Sequence, residues 1–187
     1  GFIAVASGGV HTLALKTDGS AWAWGLDDAG QLGGGAAADR SAPVLIGNGY
    51  TALSAGNFHS LAVKSDGTLW SWGYNLFGNL GDGTATNRSS PLFVGGGYAA
   101  VAGGLFHSLA LKSDGTLWAW GNNAYGQLGD GTTANRSTPV QVGSNYSAIA
   151  AGGLHSLALK NDGTLMVWGW NAYGQIGDGT TTSRASP

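Results

Sequence analysis

The chain has 187 residues, a formal net charge of −2 and only 10% charged residues. This near-neutral composition lacks the basic stripe of a nucleic-acid-binding protein, and the absence of cysteine excludes disulfides, thiolate metal ligands and cysteine nucleophiles. No apolar run approaches the roughly 18 residues of a membrane span, so we expect neither nucleic acid nor a membrane as a partner.

One pattern occurs four times along the chain without an insertion or a deletion. A histidine recurs every 48 residues, at His11, His59, His107 and His155. A tryptophan keeps the same step, at Trp24, Trp72, Trp120 and Trp168. A single repeat domain is therefore predicted, with copies at residues 1–48, 49–96, 97–144 and 145–187, the last of them shorter than the others.

Each copy predicts four short β-strands, which are clearest in the third copy. The apolar segment YAAVAGG is followed by HSLALK, whose alternation of polar and apolar residues is typical of a strand. Asp114-Gly115 then predicts a two-residue type I′ turn, and LWAWG is the returning strand. A loop rich in Gly, Asn and Thr leads to PVQVG, a fourth strand with Pro139 at its first residue.

Four strands in a unit of about 40 to 50 residues are typical of a propeller blade. The predicted fold is all-β, a β-propeller or propeller segment of four four-stranded antiparallel blades. In the second copy, a two-residue turn at Asp66-Gly67 would pair Leu61 with Trp72. The tryptophans would then share a sheet face with the histidine, Leu and Val residues, and we expect them to pack on the Ser/Ala face of the next blade.

The third copy, GGLFHSLALKSDGTLWAWGNNAYGQLGDGTTANRSTPVQVG, resembles the regulator of chromosome condensation repeat. The resemblance covers the whole chain through the motifs G-x-x-H-[ST]-L-A, D-G-[ST]-L-W-x-W-G and G-Q-L-G-D-G-T. It implies a propeller, most often seven-bladed, with four-stranded blades. Members of this family include a nucleotide exchange factor for a nuclear GTPase, a plant UV-B photoreceptor and a secreted bacterial inhibitor of β-lactamase, so the fold does not select a function.

Two of those roles are not expected for this chain. The photoreceptor motif needs a Trp-Arg pair directly before the histidine. The four copies have other pairs there, at Gly9-Val10, Asn57-Phe58, Leu105-Phe106 and Gly153-Leu154. The exchange factor is a full ring that docks on nucleosomes and a GTPase, whereas this chain has four repeats and no basic tail.

The recurring histidines and tryptophans are predicted to be structural. Adjacent histidines should lie on the order of 10 Å apart, as packed sheets do, so one metal ion could not bind two of them. We expect each histidine to hydrogen-bond nearby backbone and each tryptophan to pack between blades. The alternatives are metal binding or acid–base chemistry for the histidines, and sugar stacking or light absorption for the tryptophans.

No cofactor, metal site or catalytic residue is predicted. The G-D-G-T loops lack the alternating oxygen ligands of a calcium site, and each carries an arginine six residues after its aspartate, as Asp82 and Arg88 illustrate. We expect an Asp–Arg contact there. Ser60 follows His59 directly in a strand, which points the two side chains to opposite faces and argues against a nucleophile–base pair. The chain is therefore predicted not to be an enzyme.

Two columns of residues differ between copies and predict where a partner binds. One column precedes each histidine and the other follows each W-x-W-G segment, and both lie at the end of the hairpin away from the Asp-Gly turn. The candidate partner-binding residues are Asn57, Phe58, Tyr74, Leu105, Phe106, Asn122, Leu154 and Trp170. Apolar residues clustered on one face form an interaction surface; the alternative is that some of them cap the core.

The predicted function is a scaffold that binds another protein or further copies of itself. Uncovered blade faces and strand edges at both ends of the array favour self-association. The sequence is compatible with a fragment of a longer propeller, a ring of two copies, or a closed ring of four blades. Carbohydrate or small-ligand binding through the same aromatic face is the alternative function. The chain begins at Gly1 rather than Met, and an extracellular or cell-surface location is favoured.

Overall fold

The computed structural model describes residues 1–187 as strands, turns and loops. The first sheet contains β1 Phe2–Ser7, β2 His11–Lys16, β3 Ala21–Gly25 and β4 Arg40–Gly47. The second contains β5 Tyr50–Ala55, β6 His59–Lys64, β7 Leu69–Gly73 and β8 Arg88–Gly95. The third contains β9 Tyr98–Gly103, β10 His107–Lys112, β11 Leu117–Gly121 and β12 Arg136–Gly143. The fourth contains β13 Tyr146–Ala151, β14 His155–Lys160 and β15 Leu165–Gly169.

Each sheet is one blade, numbered 1 to 4, in which consecutive strands pair antiparallel in chain order. The first strand of each blade contacts the first strand of the next, so these strands are innermost and β4, β8 and β12 are the outer edges. Blade 4 has no outer strand. An isolated bridge between Gly169 and Arg184 takes the position at which the third and outer strands pair in the other blades. The predicted all-β propeller architecture is confirmed. No helix has the length and apolarity needed to cross a membrane.

The hydrophobic core lies between blades and not within them. Three clusters of buried residues join blades 1 and 2, blades 2 and 3, and blades 3 and 4. No cluster joins blade 4 to blade 1, and apolar residues at the two ends are exposed, including Val5 in blade 1 and Leu165 in blade 4. The four blades therefore form an open arc, and the closed ring of four is not formed.

The predicted two-residue hairpin turn is wrong. The backbone N–H of Gly67 donates to the carbonyl of Lys64 at 2.9 Å, and that of Lys64 donates to the carbonyl of Thr68 at 2.9 Å. Three residues, 65–67, therefore form the loop. Gly67 has φ of 77°, a left-handed conformation that glycine adopts without strain and that closes a type I turn in three-residue hairpins.

The extra loop residue shifts the strand register by one and exchanges the sheet faces. Trp72 pairs with Ser60 and not with Leu61, which pairs with Ser71 instead. The tryptophans therefore share a face with the Ser and Ala residues of the neighbouring strand. The histidine and the Leu and Val residues of β6 form the opposite face. The predicted composition of the two faces is wrong for this reason.

The outer strand of blade 3 begins at Arg136, so Pro139 lies inside the strand and not at its first residue. The pairing between β11 and β12 shifts register between Ala119 and Gly121. Pro139 falls in that irregular stretch of an edge strand, where its missing N–H removes no regular ladder bond.

Candidate functional site

The tryptophans of blades 2 to 4 are fully buried against the preceding blade. The ring of Trp72 packs in one cluster with Leu13, Leu15 and Leu32 of blade 1. Its Nε1–H donates to the carbonyl of Gln31 at 2.9 Å. The expected contact with the Ser/Ala face of the next blade is thus wrong in partner and direction. Trp120 and Trp168 repeat the arrangement, whereas Trp24 of blade 1 is only half-buried.

Each buried histidine contacts a serine of the next blade and not the backbone. The Nε2 of His11 lies 2.8 Å from Oγ of Ser60, whose hydroxyl donates to the carbonyl of Gln31 at 2.8 Å. Because a hydroxyl has one hydrogen, the histidine Nε2 must carry a proton and donate to the serine. His59 and His107 repeat this contact with Ser108 and Ser156 at 3.0 Å, whereas His155 is half-buried at the open end.

The buried imidazoles are neutral and tightly enclosed. Burial lowers the pKa of His11 to about 4 and, together with the neighbouring histidines, that of His59 to about 3. The Nδ1 atoms of both rings are buried without a partner. A Cβ placed on Gly56 would lie 2.2 Å from the ring of His59, so this position requires glycine. The histidines therefore act as packed hydrogen-bond donors between blades.

The histidine–serine pair across blades was missed by the sequence reasoning, which compared His59 only with Ser60 in the same strand. A histidine followed by a serine recurs in the second, third and fourth copies, and this recurrence is the signal that the sequence offers. His59 and Ser108 are 0% exposed, and the Ser108 hydroxyl proton is committed to the carbonyl of Asn79. A substrate therefore has no access to this pair.

The G-D-G-T loops form closed polar networks. Arg88 contacts Asp82 at 2.6 Å, and blades 3 and 4 repeat this ion pair, so the predicted Asp–Arg contact is confirmed. Asn75, which is buried, donates its amide to Asp82 and to the carbonyls of Thr84 and Thr86. No group of three histidine or carboxylate side chains is arranged to hold a metal ion.

The structure brings the two variable columns together at one face of the arc. The backbone N–H of Tyr74 donates to the carbonyl of Phe58 at 2.9 Å, and the same bond joins Asn122 to Phe106 at 2.8 Å. All eight candidate residues are half-buried there. Asn57 and Leu105 lie nearer the axis, where they line a glycine-rich cleft of about 210 Å³.

Part of this face is covered by an aromatic cluster from blades 2 and 3, which we call the aromatic face; it contains Phe58, Tyr74, Phe77 and Phe106. The rings of Phe58 and Phe106 stack with centroids 6.3 Å apart and an interplanar angle of 15°. Tyr74 lies 5.4 Å from Phe106, and Phe77 lies 4.9 Å from it. Trp170 forms a second group with rings that follow the W-x-W-G segments, Tyr125 and Tyr173.

The sequence reasoning missed Phe77, Tyr125 and Tyr173. These residues occupy one column, three positions after the second variable column, and Ala29 stands there in the first copy. The Gly, Asn and Thr residues of the loop that carries them predict turns. The 48-residue step nevertheless places three aromatic rings beside the predicted face. That recurrence was the signal available in the sequence.

Four antiparallel blades in chain order, stacked through buried tryptophan and histidine columns, define a β-propeller repeat protein. The chain belongs to the RCC1-like domain family, whose sequence profile it matches over residues 1–187. No curated protein sequence is similar enough to this chain to count as a relative.

Solved structures with the same fold are larger than this chain. Human WBSCR16 is similar with a TM-score of 0.88 and 28% identity, covering 100% of this chain and 52% of that protein. Yeast RCC1 (Prp20), solved with Kap60, is similar with a TM-score of 0.88 and 24% identity, and the match covers 100% of this chain and 48% of that protein. A second structure of Prp20p from Saccharomyces cerevisiae is similar with a TM-score of 0.87 and 24% identity, and the match covers 100% of this chain and 49% of that protein. The chain thus spans about half the length of the proteins it resembles.

Proposed function

We propose that this chain is a non-enzymatic propeller whose aromatic face binds a protein partner. The main support is a cluster of four half-buried rings that contact one another on this face: Phe58, Tyr74, Phe77 and Phe106. Aromatic residues that are partly exposed and mutually supported are the usual anchors of protein interfaces. The similar yeast propeller has been solved bound to a protein, Kap60, and has binding properties to Gsp1p and histones.

The experiment is partner capture with variants that use residues of the other copies. Tyr74→Asn and Phe106→Leu introduce the residues found at the same columns in Asn122 and Leu154, so the fold should tolerate both. Phe93→Gln is the matched control, because Phe93 is 56% exposed on the outer strand and Gln141 is its counterpart. The double variant should lose a defined protein partner that wild type and control retain.

Two results would contradict the proposal. One is capture that the double variant leaves unchanged. The other is binding of glycans on an array with no protein captured, which would favour the carbohydrate alternative.

Self-association is a second candidate function, favoured by the two ends of the arc. In blade 3, Leu109, Leu111 and Leu117 pack in one cluster with Trp168 of blade 4. Their counterparts in blade 4 have no such cover, and Leu165 is 60% exposed. Blade 1 carries the matching half-buried Trp24 at the other end. A second copy could therefore place its first blade on the fourth blade of this one.

A further inference from the structure

A cavity of about 330 Å³ opens on the aromatic face between blades 1 and 2. Five of its eight lining residues are apolar or aromatic, and the other three are Asp28, Gln31 and Asn87, of which Gln31 is buried. The lining residues used in the argument below are Leu26, Ala29, Gln31, Phe58, Tyr74 and Phe106.

The cavity exists because blade 1 lacks a ring that the other blades have. Ala29 stands where blades 2, 3 and 4 carry Phe77, Tyr125 and Tyr173. The ring of Phe77 lies 4.9 Å from Phe106 of the following blade. In blade 2, Phe58 is the counterpart of Phe106, so the space beside Phe58 corresponds to the seat of a missing aromatic ring.

Gln31, one of the residues that line this cavity, carries an unpaired donor. Gln31 is 0% exposed, and its Oε1 accepts the backbone N–H of Ala29 at 2.9 Å. Its Nε2 has no hydrogen-bond partner. In blade 3 the equivalent Gln127 donates to Oδ1 of Asn122, but Leu26 occupies that position in blade 1 and offers no acceptor. A buried N–H without an acceptor is unfavourable, so a ligand in the cavity whose carbonyl draws Nε2 of Gln31 out of its buried position would gain this hydrogen bond.

We infer that this cavity binds an aromatic side chain of a partner polypeptide, whose backbone carbonyl accepts a hydrogen bond from Nε2 of Gln31. This inference rests on the proposed function of the aromatic face. A phenylalanine or tyrosine residue carries both groups that the site lacks, a ring and a nearby carbonyl. An aliphatic side chain cannot reproduce the ring–ring contact that Phe77 makes with Phe106 in the next seat.

The test uses N-acetylphenylalanine amide as the probe and N-acetylleucine amide as its control. The side-chain amide resonance of Gln31 is followed by nuclear magnetic resonance in the 15N-labelled chain. The phenylalanine probe should shift it, and the leucine probe should bind more weakly by up to about tenfold, because one good aromatic contact supplies at most about that difference. Equal binding of both probes, or no shift at Gln31, would overturn the inference.

Ala29→Phe fills the cavity with the residue that Phe77 provides in blade 2, so the variant should fold. The phenylalanine probe should no longer shift the Gln31 amide in this variant. The reciprocal variant Phe77→Ala empties the equivalent seat beside Phe106, and the probe should then shift resonances at a second site as well. A folded Phe77→Ala protein with no second site would contradict the view that a missing ring creates the binding seat.

Failure of this inference can be distinguished from failure of the proposed function. If Ala29→Phe leaves partner capture intact while Tyr74→Asn with Phe106→Leu abolishes it, the cavity is not used and the aromatic face still binds protein. If neither change affects capture, the proposed function itself fails.

Discussion

The Nε2 atom of His59 lies 3.0 Å from the hydroxyl oxygen of Ser108 in the next blade, and neither side chain is exposed. The serine hydroxyl donates a hydrogen bond to the carbonyl of Asn79 at 2.7 Å. The pair therefore needs a neutral imidazole with its proton on Nε2. This requirement makes the contact between blades sensitive to acid.

Stability should fall as the pH is lowered from about 6.5 to 4. In the unfolded chain each histidine takes up a proton near its ordinary pKa of 6.5, whereas burial lowers the folded pKa of His11 to about 4 and those of His59 and His107 to about 3. The unfolded state then binds more protons. The free energy of unfolding therefore falls by up to about 1.4 kcal/mol per pH unit for each buried histidine. Urea unfolding at pH 7 and pH 5 measures the difference.

His59→Gln serves as the control for this prediction. It should lower the free energy of unfolding at both pH values but reduce its dependence on pH, because one titrating group is removed. Equal stability of the wild-type chain at pH 7 and pH 5 would show that the histidines are not buried as described.

Trp72→Ala should destabilise the chain by roughly 3–5 kcal/mol, as large-to-small changes in a core do. The ring is 0% exposed and packs on the leucines of blade 1. Trp24→Ala is the matched control, because Trp24 has the same place in blade 1 but is only half-buried. Its cost should be less than half as large by the same denaturation measurement. Similar costs for the two variants would contradict the packing described between blades.

The loop of blade 1 can be repaired with residues of the other blades. Where blade 2 has Asn75 and Asp82, blade 1 has Asp27 and Gly34, and Arg40 lacks the close ion pair that Arg88 forms. Burial raises the pKa of Asp27. Asp27→Asn with Gly34→Asp should restore the amide–carboxylate bond and the ion pair and stabilise the chain by about 1 kcal/mol.

The single change Gly34→Asp is the informative control for the repair. The atoms Nδ2 of Asn75 and Oδ1 of Asp82 are 3.1 Å apart, so an aspartate at position 34 beside unchanged Asp27 would bring two carboxylates together. This variant should be less stable than wild type. A stable single variant and an unstable double variant, measured by thermal unfolding, would contradict the equivalence of the loops.

Chelation should leave the melting temperature unchanged. The carboxylate of Asp82 is already bonded to Arg88, Thr84 and Asn75, so the protein itself supplies the partners that a cation would offer. A fall of several degrees in the presence of EDTA, reversed by added calcium, would show that the G-D-G-T loops bind metal.

Self-association should depend on the exposed leucines of blade 4. Light scattering is expected to show a mass that rises with concentration, and Leu165→Asp should abolish the rise by placing a charge on the uncovered face. Leu76→Asp is the matched control. Leu76 is 62% exposed in the loop that follows β7, whereas Leu165 is 60% exposed at the end of the arc. A monodisperse monomer at high concentration would rule out this function.

The number and order of the strands in each blade could be predicted from the sequence because the 48-residue step is unbroken. The register could not, because Asp-Gly fits two-residue and three-residue turns, and the choice depends on Gly67 closing the loop in a left-handed conformation. That one residue exchanged the sheet faces and hid the contact between His59 and Ser108. The aromatic face could still be predicted, since Phe58 and Tyr74 lie at one end of the hairpin in either register.

The tryptophan of each blade points to the blade before it, and the histidine points to the blade after it. The arc consequently has two chemically distinct ends, like a polymer with polarity. A contact between two first blades would set Trp24 against Trp24 and leave each Thr12, the counterpart of Ser60, without a histidine. Contacts made head to tail between such faces generate rotational rings or open helical chains, and the curvature of the arc decides between them.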